Sequence, residues 1–466
     1  MVIGHCASIK PLEQARRNRL VLVASILGSV IVFVDSTVVN VALPAIQDDL
    51  GGGLTLQQWV VDAYLLTLGS LLLVGGSLGD LLGPKRIFLI GVLAFGATSV
   101  LCAVAPTGNF LIVARALQGV AGALLTPSGL AVITRTFSGE ERGAAIGTWT
   151  AWTGIAFVIG PLVGGWLVTN TSWRWIFFVN VPFAIATAGL IAYALPAGLE
   201  GREHARVDYV GGLLCGLGLA GPVFALIEQP NRGWSDPLII GGLVLGVVLL
   251  AAFVWWEHRT PQPMLPLSLF RRRNFSFANV ETLFVYAGLS TLTFFLVLFL
   301  QQLAGYSALK SGFALLPITV VMFLLSPRVG RMSMRVGPRL FMGIGPLVAA
   351  LGVLPLIRLD PGFEYWLELL PPLLLFSVGL SMIVAPLTAT VLADADESDA
   401  GIASGVNNAV ARVAGLLGIA VVGVAAAGAG SGNELSLHGY RISMGITSAL
   451  IAFGGGIGLA GIRNPR

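Results

Sequence analysis

Residues 33–44 read FVDSTVVNVALP, and they lie inside a run from Leu20 to Leu43 whose one acid is Asp35. A run of that length is what a helix needs to cross a hydrocarbon core of about 30 Å. An aspartate near the middle of such a helix costs about 2.5–3.5 kcal/mol on insertion scales, so its presence asks for a function. The rest of the chain repeats the apolar pattern. Of 466 residues 56% are hydrophobic and 11% charged, and the mean hydropathy is +0.87, far from the balance of a soluble domain.

Apolar runs and their breakers predict fourteen helices, the first over 20–43 and the last over 441–462. They lack the strict alternation of a barrel wall. The expected fold class is an all-α polytopic membrane protein. Counting Lys and Arg with the N-terminus inside places twenty on inner segments, five on outer loops and two, Arg115 and Arg412, within spans. That asymmetry predicts cytoplasmic N- and C-termini. The N-terminal stretch leads into an apolar segment too long for a signal peptide, so the first helix is expected to stay. Cys6, Cys102 and Cys215 imply no disulfide framework.

Two repeats divide the chain. GSLGDLLGPKR carries Gly76 and Gly83-Pro84, and GRMSMRVGPR carries Gly330 and Gly337-Pro338, at an offset of 254. Gly143, Gly147, Gly160 and Gly165 recur as Gly401, Gly405, Gly418 and Gly423, at an offset of 258. The predicted organisation is a cytoplasmic segment 1–19, a six-helix bundle 20–196, a central helix pair 197–260, a basic linker 261–277 and a second six-helix bundle 278–466. Parallel duplication of this kind marks a large transporter architecture.

Asp35, Asp62 and Arg115 are expected to share the outer half of the first bundle, where one arginine between two aspartates leaves a charge that one proton or one monovalent cation neutralises. Asp62 can also be an interfacial acid beside Trp59 and Tyr64. Asp80, at the inner end of its helix, is expected to dock on a helix N-terminus of the opposite bundle and latch that side. Pro161 removes a backbone donor, while Gly160, Gly164 and Gly165 offer a smooth face for close packing. Substrate-lining candidates are Gln118, Trp149, Trp152, Tyr286, Phe294, Gln301 and Asn407, aromatics and amides that suit an adaptable wall. Glu281 reads equally as a functional acid or a helix-start acid. FRRRNFSF reads as a basic interfacial anchor.

Other classes find little support. None of the three lysines (Lys10, Lys85, Lys310) follows a glycine, so there is no Walker A loop. No HExxH or Cys/His cluster points to a metalloenzyme, and nothing in the pattern points to nucleic acid. Neither catalytic nor metal-binding residues are expected.

These residues carry a resemblance to the major facilitator superfamily and, within it, to the fourteen-span drug:proton antiporters. FVDSTVVNVALPAI resembles the family's first-helix motif. GGSLGDLLGPKR resembles the loop 2–3 motif, in which Asp80, the glycines Gly76 and Gly83, and the basic pair Lys85 and Arg86 gate the cytoplasmic side. FLIVARALQGVAGALLTP resembles the helix-4 motif, whose arginine, here Arg115, is linked to proton transfer. AFVIGPLVGGWL resembles the antiporter signature, and SWRWIFFVNVP the segment after it. The departures are Leu81, where an arginine is common, and helix 13, which has Asn407, Asn408 and Arg412 where some relatives carry acids.

The resemblance implies a multi-pass protein of a bacterial cytoplasmic membrane that exports small amphipathic or cationic compounds by drug:H+ antiport and alternating access. Its partners would be a lipophilic small molecule, protons and membrane lipid, with no cofactor beyond the proton gradient, and a monomer is expected. The alternative is a uniporter or symporter of a natural metabolite or lipid on the same scaffold.

Overall fold

The computed structural model describes residues 11–194, 207–393, 400–428 and 434–464. Among these residues there is no strand, and fourteen helices are long and apolar enough to span a membrane. They are α1 (Arg16–Leu50), α2 (Gly53–Leu82), α3 (Pro84–Ala103), α4 (Gly108–Thr136), α5 (Gly139–Asn170), α6 (Trp175–Ala194) and α7 (Tyr209–Arg232). The series continues with α8 (Pro237–Arg259), α9 (Arg273–Leu303), α10 (Ala308–Val336), α11 (Pro338–Arg358), α12 (Tyr365–Ala393), α13 (Gly401–Ala427) and α14 (Leu437–Gly461).

Within the first bundle α1 packs on α5 and α6, α2 on α4, and α3 on α4 and α6. The second bundle repeats each of these pairings: α9 on α13 and α14, α10 on α12, and α11 on α12 and α14. The two bundles meet along two seams, α2 with α13 and α5 with α10. The central pair α7 and α8 pack on each other, with α7 flanking the first seam. Much of α8 is exposed, with Leu238, Val244, Leu245, Val247, Val248 and Trp255 each more than half accessible. An apolar face of that size suits lipid.

The repeat is visible in the backbone as well. Gly83 has φ 90° and ψ 134°, Gly337 has φ 98° and ψ 151°, and each is followed by a proline that opens the next helix. Only glycine takes that conformation without strain, and proline at the first helical position loses no hydrogen bond. The second glycine block repeats in three dimensions too. Gly160 lies against Thr37 of α1 and Gly418 against Ala287 of α9, so each lets a fifth helix approach the first of its own bundle. Gly165 lies against Leu309 of α10 and Gly423 against Gln58 of α2, so each lets a seam close between bundles.

The boundaries shift slightly from expectation. Helix begins at Pro11, so Arg16, Arg17 and Arg19 ride on the first turns of the helix that continues as α1. The second bundle likewise begins at Arg273 and not at 278. Residues 1–10, the linker 195–206 and residues 394–399 of the acidic loop lie outside the described residues. FRRRNFSF does more than anchor at an interface, because Arg273 donates from Nε to the Gly461 carbonyl at 2.8 Å and from Nη2 to Ala460 at 3.0 Å. It thereby caps the carbonyl end of α14, where a cation meets the helix dipole favourably.

Candidate functional site

Asp35 is fully buried, and four helices supply its surroundings. Its Oδ2 accepts from Arg115 Nη1 of α4 at 2.6 Å. Its Oδ1 accepts from Gln118 Nε2, also of α4, and from Asn180 Nδ2 of α6, each at 3.0 Å. Ser99 Oγ of α3 closes the cluster by accepting from Gln118 at 2.9 Å and Asn180 at 3.3 Å. Arg115 also donates from Nε to the Val60 carbonyl of α2 at 3.0 Å and lies 4.2 Å from the Tyr64 ring centroid. A buried ion pair survives desolvation only when further hydrogen bonds satisfy its remaining atoms. Here both carboxylate oxygens and two edges of the guanidinium are satisfied.

Gln118 therefore belongs to this sealed cluster and not to a substrate wall, a correction that follows from its spacing. It stands one turn beyond Arg115 on α4 and points at the same carboxylate. Ser99 and Asn180 were missed. Asn180 stands in the quoted SWRWIFFVNVP stretch as an amide in an apolar run, the signal that could have found it. Ser99 gave none, because a serine costs little in a membrane helix.

Asp62 is also fully buried, but Arg115 does not reach it. Among the described residues neither of its oxygens has a hydrogen-bond partner. It occupies the α2 stripe that faces α13: Gln58, one turn away, donates to the Ile419 carbonyl at 3.0 Å, and Gly69 abuts Arg412. The rings expected beside it are engaged elsewhere. Trp59 donates to Glu228 of α7 at 2.8 Å, and Tyr64 faces Arg115. A single arginine shared by two acids is thus not what the structure holds.

The seams define which end is open. At the end away from most basic residues, Gln301 donates to the Val41 carbonyl at 2.9 Å and Gln302 to Gln47 at 3.0 Å, both from a widened π-turn of α9. Leu309 N donates to Thr169 there, and Gly312 abuts the Pro161 carbonyl. At the basic end, Gly143, Gly147 and Gly154 of α5 have open space where a side chain would stand, and Met332 and Met334 of α10 are exposed. The α5–α10 seam is thus closed at one end while α5 stands open toward the other, where α13 still meets α2 through Gly405 and Leu73.

Asp80 fits that state. It pairs with Arg135 of α4 at 3.0 Å within its own bundle, and does not dock on the opposite bundle as expected for a closed latch. Gly76 lies against Pro127 of α4, and Lys85 and Arg86 stand on the first turn of α3, Arg86 exposed. Gly160 and Gly164 meet Thr37 and Val38 of α1, while Gly165 and Pro161 meet α10, so the signature touches both its own bundle and the other.

The remaining lining candidates separate. Tyr286 is half-buried at the centre of α9. Trp149 donates to Ser29 of α1 at 2.9 Å, and Trp152 is 50% exposed. Phe294 is core, edge-on to Phe295 at 5.0 Å, and does not line a cavity. Gln301 serves the closed seam. Asn407 donates to Thr282 and Asn279 of α9, within its bundle. Glu281 is fully buried beside Gly458 of α14, with neither oxygen partnered among the described residues.

The chain matches the Major Facilitator Superfamily profile over residues 25–419. It is 38% identical over 423 residues to the puromycin resistance protein of Streptomyces alboniger, covering 90% of this chain and 83% of that one. It is 34% identical over 410 residues to the tetracenomycin C resistance and export protein of Streptomyces glaucescens, covering 86% and 75%. Among solved structures it resembles a bacterial homologue of the lysosomal transporter Spinster, at TM-score 0.68 and 16% identity over 97% of both chains. A peptide transporter solved with sulfate gives TM-score 0.69 at 16% identity, over 96% of this chain and 94% of that one. The chain belongs to the major facilitator superfamily: it is a multi-pass transporter of the cell membrane and not an enzyme.

Proposed function

We propose that this protein exports small amphipathic compounds in exchange for protons, with its basic end and both termini in the cytoplasm. The observation that carries the reading is the sealed Asp35–Arg115 cluster, a buried carboxylate inside a span with both oxygens engaged by Arg115, Gln118 and Asn180. Intramembrane ionisable residues of this kind mark proton relays and substrate paths. Relatives named for resistance to puromycin and for export of tetracenomycin C support a small-molecule cargo.

In this reading the structure corresponds to the inward-open state after proton release. Substrate enters the parted cleft, the bundles rock, and the closed seam around Gln301, Gln58 and Gly165 opens outward. Protonation of Asp35 from outside removes its charge, frees Arg115 from its partner and favours return. A ligand shifts such an equilibrium only by its differential affinity for the two states, and the proton meets that condition by uncoupling one ion pair. The energy comes from the proton gradient, and no cofactor takes part.

The test is purified protein in liposomes with an imposed proton gradient and a panel of cationic, neutral and anionic compounds. Antiport predicts substrate movement against the direction of proton flow, with collapse of both on adding a protonophore. Movement in the same direction as the proton makes the protein a symporter. Movement indifferent to the gradient makes it a uniporter.

A further inference from the structure

Arg412 stands 11 residues from one end of α13 and 15 from the other, so roughly 16 and 22 Å along the span. It is the second arginine within a span, and unlike Arg115 it has no acidic partner among the described residues. Its Cβ lies against Gly69 of α2, and its guanidinium reaches the Phe33 ring of α1, 5.4 Å from the centroid. The side chain thus crosses from the second bundle to the first at mid-membrane. Tyr64 and Tyr286 are close enough to interact with its charge. Asn408, one turn toward the open end, is half-buried and its amide makes no hydrogen bond among the described residues.

We propose that Arg412 is a substrate anchor, and that the cleft selects aromatic compounds bearing a carboxylate or another anionic acceptor oxygen. Three physical points support this. An unpaired cation at the membrane centre is costly unless water or a counter-charge reaches it. Arg412 is only partly buried, so water can reach it, and an entering anion would replace that water with a permanent partner. Next, a guanidinium lying over a ring keeps its N–H donors at the edge, in a planar fork matched to two acceptor oxygens. Lastly, Phe33 offers a ring face beside that fork, while Asn408 adds one more donor. A cationic ligand would meet like charge there with no acid at hand, since Asp35 is taken by Arg115. Asp62 lies seven residues along α2 from Gly69, roughly 10 Å away.

This inference deepens the export reading, which supplies its physiological setting, but binding tests it separately. The probes are naphthoate and naphthyl trimethylammonium, one ring system with opposite charges, measured by equilibrium dialysis against protein in nanodiscs and corrected with empty nanodiscs. The wild type is expected to hold naphthoate about tenfold or more tighter than the cation, the order set by one charge-assisted bidentate contact. Arg412→Gln should erase that preference by weakening naphthoate and relieving the repulsion of the cation, while leaving the melting temperature unchanged. Arg412→Lys, which keeps the charge and loses the fork, should fall between.

A wild type that prefers the cation, or an Arg412→Gln variant with unaltered preference, overturns the proposal. So does an equal loss of both probes with a lowered melting temperature, since that marks a structural role. Should Arg412→Gln not fold, the lysine variant decides: a weakened preference supports the anchor and an unaltered one overturns it. Gradient-driven flux of a neutral probe, measured in parallel, distinguishes the two readings. Anion preference without any proton-driven flux sinks antiport and keeps the anchor, and proton-driven flux without anion preference does the reverse.

Discussion

The two six-helix bundles share their main helix pairings, the Gly83 and Gly337 turns and the glycine contacts of α5 and α13, yet only the first holds a buried ion pair among the described residues. Between α1, α3, α4 and α6 stand Asp35, Ser99, Arg115, Gln118 and Asn180. In the second bundle Phe299 stacks on Tyr440 at 4.2 Å, and Leu356, Leu373, Phe376 and Met444 are buried. The fold thus depends on backbone geometry common to both halves, while the titratable cluster belongs to one. A rocking transporter needs two bodies that move alike, but a proton needs only one of them.

The severest way to break this comparison is to remove the cluster's charge. Asp35→Asn keeps the side-chain volume and an acceptor for Arg115, and should reduce gradient-driven export to background in liposomes, with expression retained and the melting temperature lowered less than by Arg115→Ala. Uphill export by that variant would end the assignment of coupling to the first bundle. Arg115→Ala should also abolish export and in addition destabilise the protein, because removing one member of a buried pair costs about 3–5 kcal/mol. Thermal unfolding in detergent measures the difference. An Arg115→Ala protein as stable as Asp35→Asn would mean that Gln118 and Asn180 alone satisfy the carboxylate.

Much of this contrast was legible in the chain. Asp35 and Arg115 announce themselves because a charge in a span is expensive, and the glycine repeats announce the duplicated scaffold because close helix approach leaves few alternatives to glycine. Ser99 and Asn180 carry no such cost, so their place in the cluster emerges only once α3 and α6 are packed beside α1. Asp62 was misjudged for a related reason. Its position along α2 sets its depth, but whether it faces Arg115 or α13 depends on the rotation of α2, which the seam with α13 decides. The reading of Phe294 and Gln301 as lining residues failed because aromatics and amides serve cores and seams as readily as cavities.

A sharper test addresses the shared geometry. Gly160→Val and Gly418→Val each add bulk where a fifth helix meets the first of its bundle, against Thr37 in one half and Ala287 in the other. Overpacking of this kind costs about 1–3 kcal/mol. The two variants should lose similar stability in thermal unfolding. A large loss at one position with none at the other would show that the halves are not mechanically equivalent.

Asp62→Asn should have a smaller effect than any change at Asp35. Among the described residues the carboxyl lacks partners, and an asparagine of the same shape retains the packing of the α2–α13 seam. Export should persist at a reduced rate with a flatter dependence on external pH, measured as initial rates at several pH values. Background-level export would promote Asp62 to an equal member of the coupling machinery, and an unaltered rate and profile would make it a seam residue only.

Glu281 gives the smallest and the most discriminating effect, because it is the second bundle's own buried acid. It lies on α9 near the basic end, against Gly458 of α14, with neither oxygen bonded among the described residues. Among the described residues no guanidinium stands beside it as Arg115 stands beside Asp35, so no ion pair there is released when a proton arrives or leaves. An unsatisfied buried polar group costs about 1–3 kcal/mol, and an amide can donate where a carboxylate cannot. The Met342 carbonyl, which also lies against Gly458, is an acceptor close by. Glu281→Gln should therefore leave gradient-driven export unchanged and hold or raise the melting temperature. A loss of export with stability retained would give the second bundle a titratable element of its own, and the division of labour between the halves would have to be redrawn.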